Sequence, residues 1–229
     1  MSKSVKILLE VLLALIAVGL VFLIYRSIME PVNFNKEKAA RQAVAVQRLK
    51  DIRTLEVAFK SVNSHFTASI DSLKDFYENG KMDVVMQVGS ADDSVAVANT
   101  AALRKKNKKI TNEELLALSQ KGMPLVFSIT TPIAVKDTLF NGREDFHIDS
   151  LAYIPFSGGQ KTIMDAIVKV VSGVDVPLFE AKMPWKAILR GMDNQLRINL
   201  DAECETQNRY PGLQVGSVSA PNNNAGNWE

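Results

Sequence analysis

An α+β protein carried on an N-terminal transmembrane helix is the fold class the sequence predicts, and three observations predict it. Residues 7–25 form an unbroken apolar run in which Glu10 is the single charge. Further on, Ala45, Leu49, Ile52, Phe59, Val62 and Phe66 recur at intervals of three, four or seven, the spacing of one helical face. From residue 124 the pattern changes to short β-branched and aromatic segments divided by turn residues, which reads as a mainly antiparallel sheet. The expectation is a membrane helix followed by a long amphipathic helix and short helices packed on that sheet.

Length and charge bound what the chain can be. Its 229 residues accommodate one anchor and one ordinary domain. The division is a tail and anchor at 1–30, a soluble α+β domain at 31–220 and a flexible, turn-rich tail at 221–229. A net charge of +2 creates no long-range field of the kind that nucleic acid recognition requires. The single cysteine, Cys204, excludes an intrachain disulfide and a multi-cysteine zinc site.

At about 1.5 Å per residue, a helix over 7–25 matches a hydrocarbon core of roughly 30 Å. A cleaved signal peptide shares the basic start, here Lys3 and Lys6, but its apolar part is shorter and ends at small residues. This run ends in Phe22-Leu23-Ile24-Tyr25-Arg26 and is read as uncleaved. Glu10 lies one turn into the span, near the positive end of the helix dipole and one turn from Lys6. Glu10 and Lys6 are the expected membrane-contact residues, either as an interfacial pair or with Glu10 meeting another membrane protein. Basic residues flank the span on both sides, so their count leaves the two topologies equal. A short basic tail ahead of an uncleaved span favours a cytoplasmic amino terminus, which puts the domain outside.

Pro31 is expected to end the membrane helix, since the residue before a proline avoids the helical region. Asn33 or Asn35 then caps a second helix over 36–65. Ser69 opens a short helix with Ile70, Leu73, Phe76 and Tyr77 inward and Gly80 as its stop. Residues 82–88 read as a strand and 92–109 as a polar, exposed excursion. Thr111-Asn112-Glu113-Glu114 is a capping-box pattern, with Gly122 closing the helix. Strands follow at 125–130, 133–139, 146–154, 162–171 and 176–180, then a short helix near 185–190, then strands at 195–203 and 213–219. The last assignment but one rests on Leu196-Arg197-Ile198-Asn199-Leu200, whose apolar and polar residues alternate as in a strand with one wet face.

Candidate chemistry is sparse. Phe156-Ser157-Gly158-Gly159-Gln160-Lys161-Thr162 resembles the signature loop of ABC-type ATPases and, at Lys161-Thr162, a P-loop. A P-loop requires a glycine directly before the lysine, and Gln160 stands there, so the segment is read as a hairpin turn. His65 and His147 have no partner at metal-ligand spacing. Asp201, Glu203 and Glu205 alternate, and they are read as the solvated side of an edge strand rather than as a cation site. No catalytic residue, metal ligand, cofactor or small-molecule substrate is assigned. The one concentrated charge is the run Arg104, Lys105, Lys106, Lys108 and Lys109, a solvated loop or a contact for a partner or for anionic lipid.

Two resemblances bear on the setting. An apolar segment with one early Glu (Ile7-Leu8-Leu9-Glu10), followed by a helix that leaves the membrane to pack on a later sheet, resembles the type IV pilin and pseudopilin plan. That resemblance covers the first sixty-six residues, with Val5-Lys6 where a prepilin cleavage motif would stand. The stretches Arg48-Leu49-Lys50-Asp51-Ile52-Arg53-Thr54 and Asp71-Ser72-Leu73, with the ending Asn222-Asn223-Asn224-Ala225-Gly226-Asn227-Trp228, are similar to membrane-anchored bacterial envelope proteins. This similarity implies a setting and no activity.

The sequence therefore points to a non-enzymatic, single-pass protein of the bacterial inner membrane with a periplasmic domain. Its expected partners are the lipid bilayer and other envelope proteins or further copies of itself. The alternative is a cytoplasm-facing adaptor that binds anionic lipid or an acidic partner through residues 104–109.

Overall fold

The computed structural model describes the backbone of residues 3–229 and the side chains of residues 7, 10 and 12–229. It is α+β, with a long apolar N-terminal helix and two small antiparallel sheets. Helix α1 runs without interruption over Lys3–Asn63, 61 residues. The expected break at Pro31 does not occur, because Pro31 lies inside α1. A proline inside a helix removes one backbone bond and costs about 3 kcal/mol. Propagation is cooperative, however, and here helix-forming segments flank the single defect on both sides.

Contacts divide the chain into two compact units. The first comprises residues 1–54, 66–70 and 147–229. Here β3 (Ile163–Val171) and β4 (Val174–Pro184) form a hairpin, and β5 (Gly212–Gly216) pairs antiparallel with the far half of β4. The turn Ser172-Gly173 takes positive φ at both positions, 54° and 82°, the conformation that matches the twist of a two-residue hairpin. Ala45, Leu49 and Ile52 of α1 are fully buried, as the stripe predicts. Phe66 packs on Phe179 of β4 with ring centroids 4.8 Å apart. Short helix α6 (Trp185–Ile188) packs against β4, β5 and α7 (Asn194–Thr206).

Helix α7 stands where a strand was expected at 195–203. Its inward residues are Leu196, Arg197, Leu200, Asp201 and Cys204, a helical stripe that happens to coincide locally with period-two alternation. The Asp193 side chain accepts from Leu196 N at 2.8 Å and caps the first turn. Residues 146–154 are likewise not a strand: a 3₁₀ turn occupies Ile148–Ala152. The tail 221–229 makes hydrogen bonds to β5 and to α1. Asn227 N donates to Gln214 O at 3.0 Å, and Arg53 of α1 donates to the Glu229 carboxylate at 2.7 Å.

The second unit comprises residues 55–65 and 71–146. Helix α2 (Ile70–Asn79) leads into β1 (Lys81–Val88), which pairs antiparallel along its whole length with β2 (Phe127–Ala134). The two strands expected at 125–130 and 133–139 are thus one strand followed by a helical turn, α5 (Val135–Thr138). Pro132 fits inside β2 because a two-stranded sheet leaves every strand an edge. Between the strands, α3 (Ser94–Lys106) replaces the expected excursion, its N-terminus capped by Asp93 accepting from Val95 and Ala96 at 3.0 and 3.1 Å. Helix α4 (Asn112–Gln120) carries the capping box at Thr111 and Glu114. Leu115, Leu125, Phe127 and Ile129 form one buried cluster, and Ala58, Phe76 and Val135 another. Glu56, four residues after Ile52 and three before Phe59 on the same helical face, is completely buried.

Candidate interaction surfaces

The first surface is the apolar length of α1. Leu12, Leu13, Leu15, Ile16, Val18, Leu20 to Tyr25 and Ile28 are each more than half exposed. A helix apolar on every side and packed against nothing has water as an unsuitable solvent. This is one helix long and apolar enough to cross a membrane by length and composition. Glu10 is exposed on it. The side chain of Lys6 lies outside the described residues, so the pairing of Lys6 with Glu10 does too.

The basic run is the second. Arg104, Lys105 and Lys106 form the last turn of α3, and Lys108 and Lys109 follow its C-cap Asn107. All five are exposed. The helix terminus gives them a local role, since cations near the last turn oppose the negative end of the dipole. Arg104 reaches Asn112 Oδ1 at 3.5 Å, a contact at the limit of hydrogen bonding.

The third surface was not singled out by sequence: the β3–β4 hairpin. Ile163 (50%), Ile167 (39%), Val168 (58%), Val170 (67%) and Val174 (63%) present apolar side chains to solvent on both faces of the ribbon. Where β4 pairs with β5, its Phe179, Ala181 and Met183 are fully buried. The signal was present, because both alternating sets of β3 are mostly apolar, which a strand needs only if something covers it on two sides.

β3 is also an edge strand. Thr162 N donates to Ala152 O at 3.0 Å, so 152–153 cover the outer edge up to residue 162. Beyond it, the backbone N–H of Ala166 turns to the same outer side and is met by its neighbour, the Asp165 carboxylate, at 2.8 Å. Lys169 Nζ donates to Ser219 O at 2.6 Å.

The polar residues expected to matter are not gathered. On α7, Asp201 faces inward while Glu203 and Glu205 are exposed, so the three do not share a face as they would on a strand. Asp201 is bonded to Arg197, and burial, outweighing that arginine, raises its pKa. His65 stacks edge-on against Phe59, 5.6 Å between centroids. Among the described residues no group of three or more His, Cys, Asp or Glu is placed to hold a metal ion.

Ser157 of the glycine-rich segment is fully buried, its hydroxyl donating to Ile154 O and accepting from Gln160 N. The segment is a turn, closing the Tyr153–Lys161 bridge between the 3₁₀ turn and β3 rather than joining two strands. A cavity of about 230 Å³ in the first unit is lined by Lys38, Trp185, Cys204, Arg209, Tyr210 and Trp228. The indole nitrogens of Trp185 and Trp228 have no hydrogen-bond partner among the described residues. Burial, followed by Glu180 and Asp201, raises the Tyr210 pKa, which keeps the phenol neutral.

Comparison with protein-family models, with curated proteins and with solved structures finds no match to this chain. The class of protein is therefore defined by its architecture alone: an α+β protein with one helix suited to a membrane.

Proposed function

We propose that this chain is a non-enzymatic component of a bacterial envelope assembly, anchored by residues 7–25 in the inner membrane, with its folded part in the periplasm binding other proteins. The observation that carries this reading is the exposed apolar hairpin: Ile163, Ile167, Val168, Val170 and Val174 are exposed along one β-ribbon. Such a cluster next to an open strand edge is a liability unless a protein partner covers it.

A photo-crosslinking amino acid at Val170, in the full chain and in native membranes, tests the reading. Adducts to protein support it, and a probe that reacts only with solvent overturns it.

The basic residues Arg104, Lys105, Lys106, Lys108 and Lys109 support the competing reading, a cytoplasm-facing adaptor for anionic lipid or an acidic partner. Fusion of alkaline phosphatase and of a fluorescent protein to the C-terminus separates the two. Phosphatase activity without cytosolic fluorescence removes the adaptor.

A further inference from the structure

We propose that the hairpin's partner is a second copy of this chain, and that two β3 strands join antiparallel across a two-fold axis at Ile167. This rests on reading the hairpin as a protein contact. Three features of β3 lead to it.

The open edge is bounded. Residues 152–153 cover it up to Thr162, and the Ser172-Gly173 turn ends it after Val171. The residue midway along Ile163–Val171 is Ile167.

The backbone has the right parity. Thr162 and Ala166 point their N–H groups outward, so residues 164, 166, 168 and 170 present the free donors and acceptors. A two-fold axis at Ile167 sets 166 opposite 168 and 164 opposite 170, each pair joining outward-facing groups. The Ala166 N–H, held in the single chain by Asp165, passes to the carbonyl of Val168 in the second copy.

The charges then complement one another. Asp165 and Lys169 lie symmetrically about Ile167, so each aspartate faces the lysine of the other copy. Opposite charges directly across an antiparallel pair are favourable, and like charges are not. Moving the axis to Val168 sets Asp165 against Val171 and Lys169 against Ile167, which leaves both charges among apolar side chains. The Lys169 ammonium has three donors and uses one at Ser219, so it retains capacity for the aspartate. In this register Ile163 meets Val171 and Met164 meets Val170. Confinement of both copies to one membrane raises their effective concentration, which suits a small strand-to-strand contact.

The test is cysteine crosslinking of the full chain in membranes, in a Cys204→Ala background. At a non-hydrogen-bonded antiparallel pair the Cα atoms lie about 4.5 Å apart, inside the disulfide range of roughly 4.4–6.8 Å. Ile167→Cys is expected to give disulfide-linked dimer at least fivefold more efficiently than Val174→Cys, although Val174 is the more exposed position on the same hairpin. In the Ile167→Cys chain, Asp165→Lys or Lys169→Asp alone is expected to reduce dimer at least fivefold, and the two together to restore it. Equal crosslinking at 167 and 174, or no restoration by the double reversal, overturns the pairing. If a photo-crosslinker at Ile167 captures only other proteins, self-pairing is wrong while the hairpin remains a protein contact. If it captures nothing, both fall. Ile167 is outside the core, so the Ile167→Cys result stands even where a charge reversal impairs folding.

Discussion

Arg190 donates from Nη1 to the carbonyl of Ser157 at 2.7 Å, and its guanidinium occupies the space a side chain at residue 158 would need. The glycine-rich segment is shaped around that contact. A Cβ at Gly158 would stand 1.9 Å from Arg190 Nη1, whereas at Gly159 it would meet nothing within 4 Å. Glycines that suggest a phosphate loop in sequence serve here to admit an arginine.

Gly158→Ala therefore carries two costs, left-handed strain at φ 73° and displacement of Arg190. Together they amount to about 2–3 kcal/mol. Gly159→Ala, at φ 97° in open space, carries only the strain, about 1 kcal/mol. Denaturant unfolding of the full chain in detergent micelles measures both, and equal losses would show that the Arg190 contact contributes nothing.

Phe179→Ala removes a side chain with no exposure and is expected to cost about 3–5 kcal/mol. Its tilted contact with Phe66 predicts a coupling of about 0.5–1.5 kcal/mol. A double-mutant cycle with Phe66→Leu and Phe179→Leu reads this term. Strict additivity would mean the rings touch without interacting.

At α4, Thr111→Ala breaks the capping box in which Thr111 Oγ1 accepts from Glu114 N and Glu114 accepts from Thr111 N. The expected loss is about 1 kcal/mol. Amide exchange should quicken first at Glu113, Glu114 and Leu115, and unchanged exchange there would refute the capping role.

Glu229 has its pKa lowered, first by the hydrogen bond from Arg53 and then by the Gly226 N–H. A carboxylate depressed in the folded state adds stability that is present above its unfolded value, about 4.3, and lost as pH falls through the folded value. Glu229→Gln should lower the melting temperature at pH 7 and leave it close to wild type at acid pH. A deficit that persists undiminished at low pH would assign the effect to packing instead of charge.

Removal of residues 1–30 should release the chain from membranes. Replacing Lys105, Lys106, Lys108 and Lys109 by glutamine should leave partitioning unchanged, because the apolar length of α1 outweighs four exposed charges. Membrane fractionation in high salt distinguishes the two. Release by the lysine variant would transfer the anchoring role to the basic run.

Local signals survived the passage from sequence to structure wherever one chemical cause sufficed. The capping box at Thr111, the stop at Gly80, β1, the β3–β4 hairpin and the inward stripe at Ala45, Leu49 and Ile52 depend on neighbours a few residues away. The apolar run over 7–25 is read from composition alone, and its described side chains stand exposed on α1.

Residues with two local options were decided elsewhere. Leu196-Arg197-Ile198-Asn199-Leu200 alternates like a strand, but the capped helix turns the half-buried Leu196 and Leu200 and the buried Cys204 to one side, and the longer stripe prevails. Residues 92–109 look polar, yet Ala96 and Thr100 become buried, and the Thr100 hydroxyl accepts from Val126 N. Pro31 stops a helix only where neither flank holds it.

By itself the sequence determined the α+β class, the apolar N-terminal helix and most turns, because these follow from spacing, capping and hydropathy within one stretch of chain. Only the tertiary structure decided which apolar side chains are covered. Phe179 and Val170 are both apolar residues of one β-ribbon, and exposure separates them because β5 and the core reach one end of it and stop short of the other. The open surface of this protein is thus a consequence of where the sheet ends, a property of the packing of distant segments.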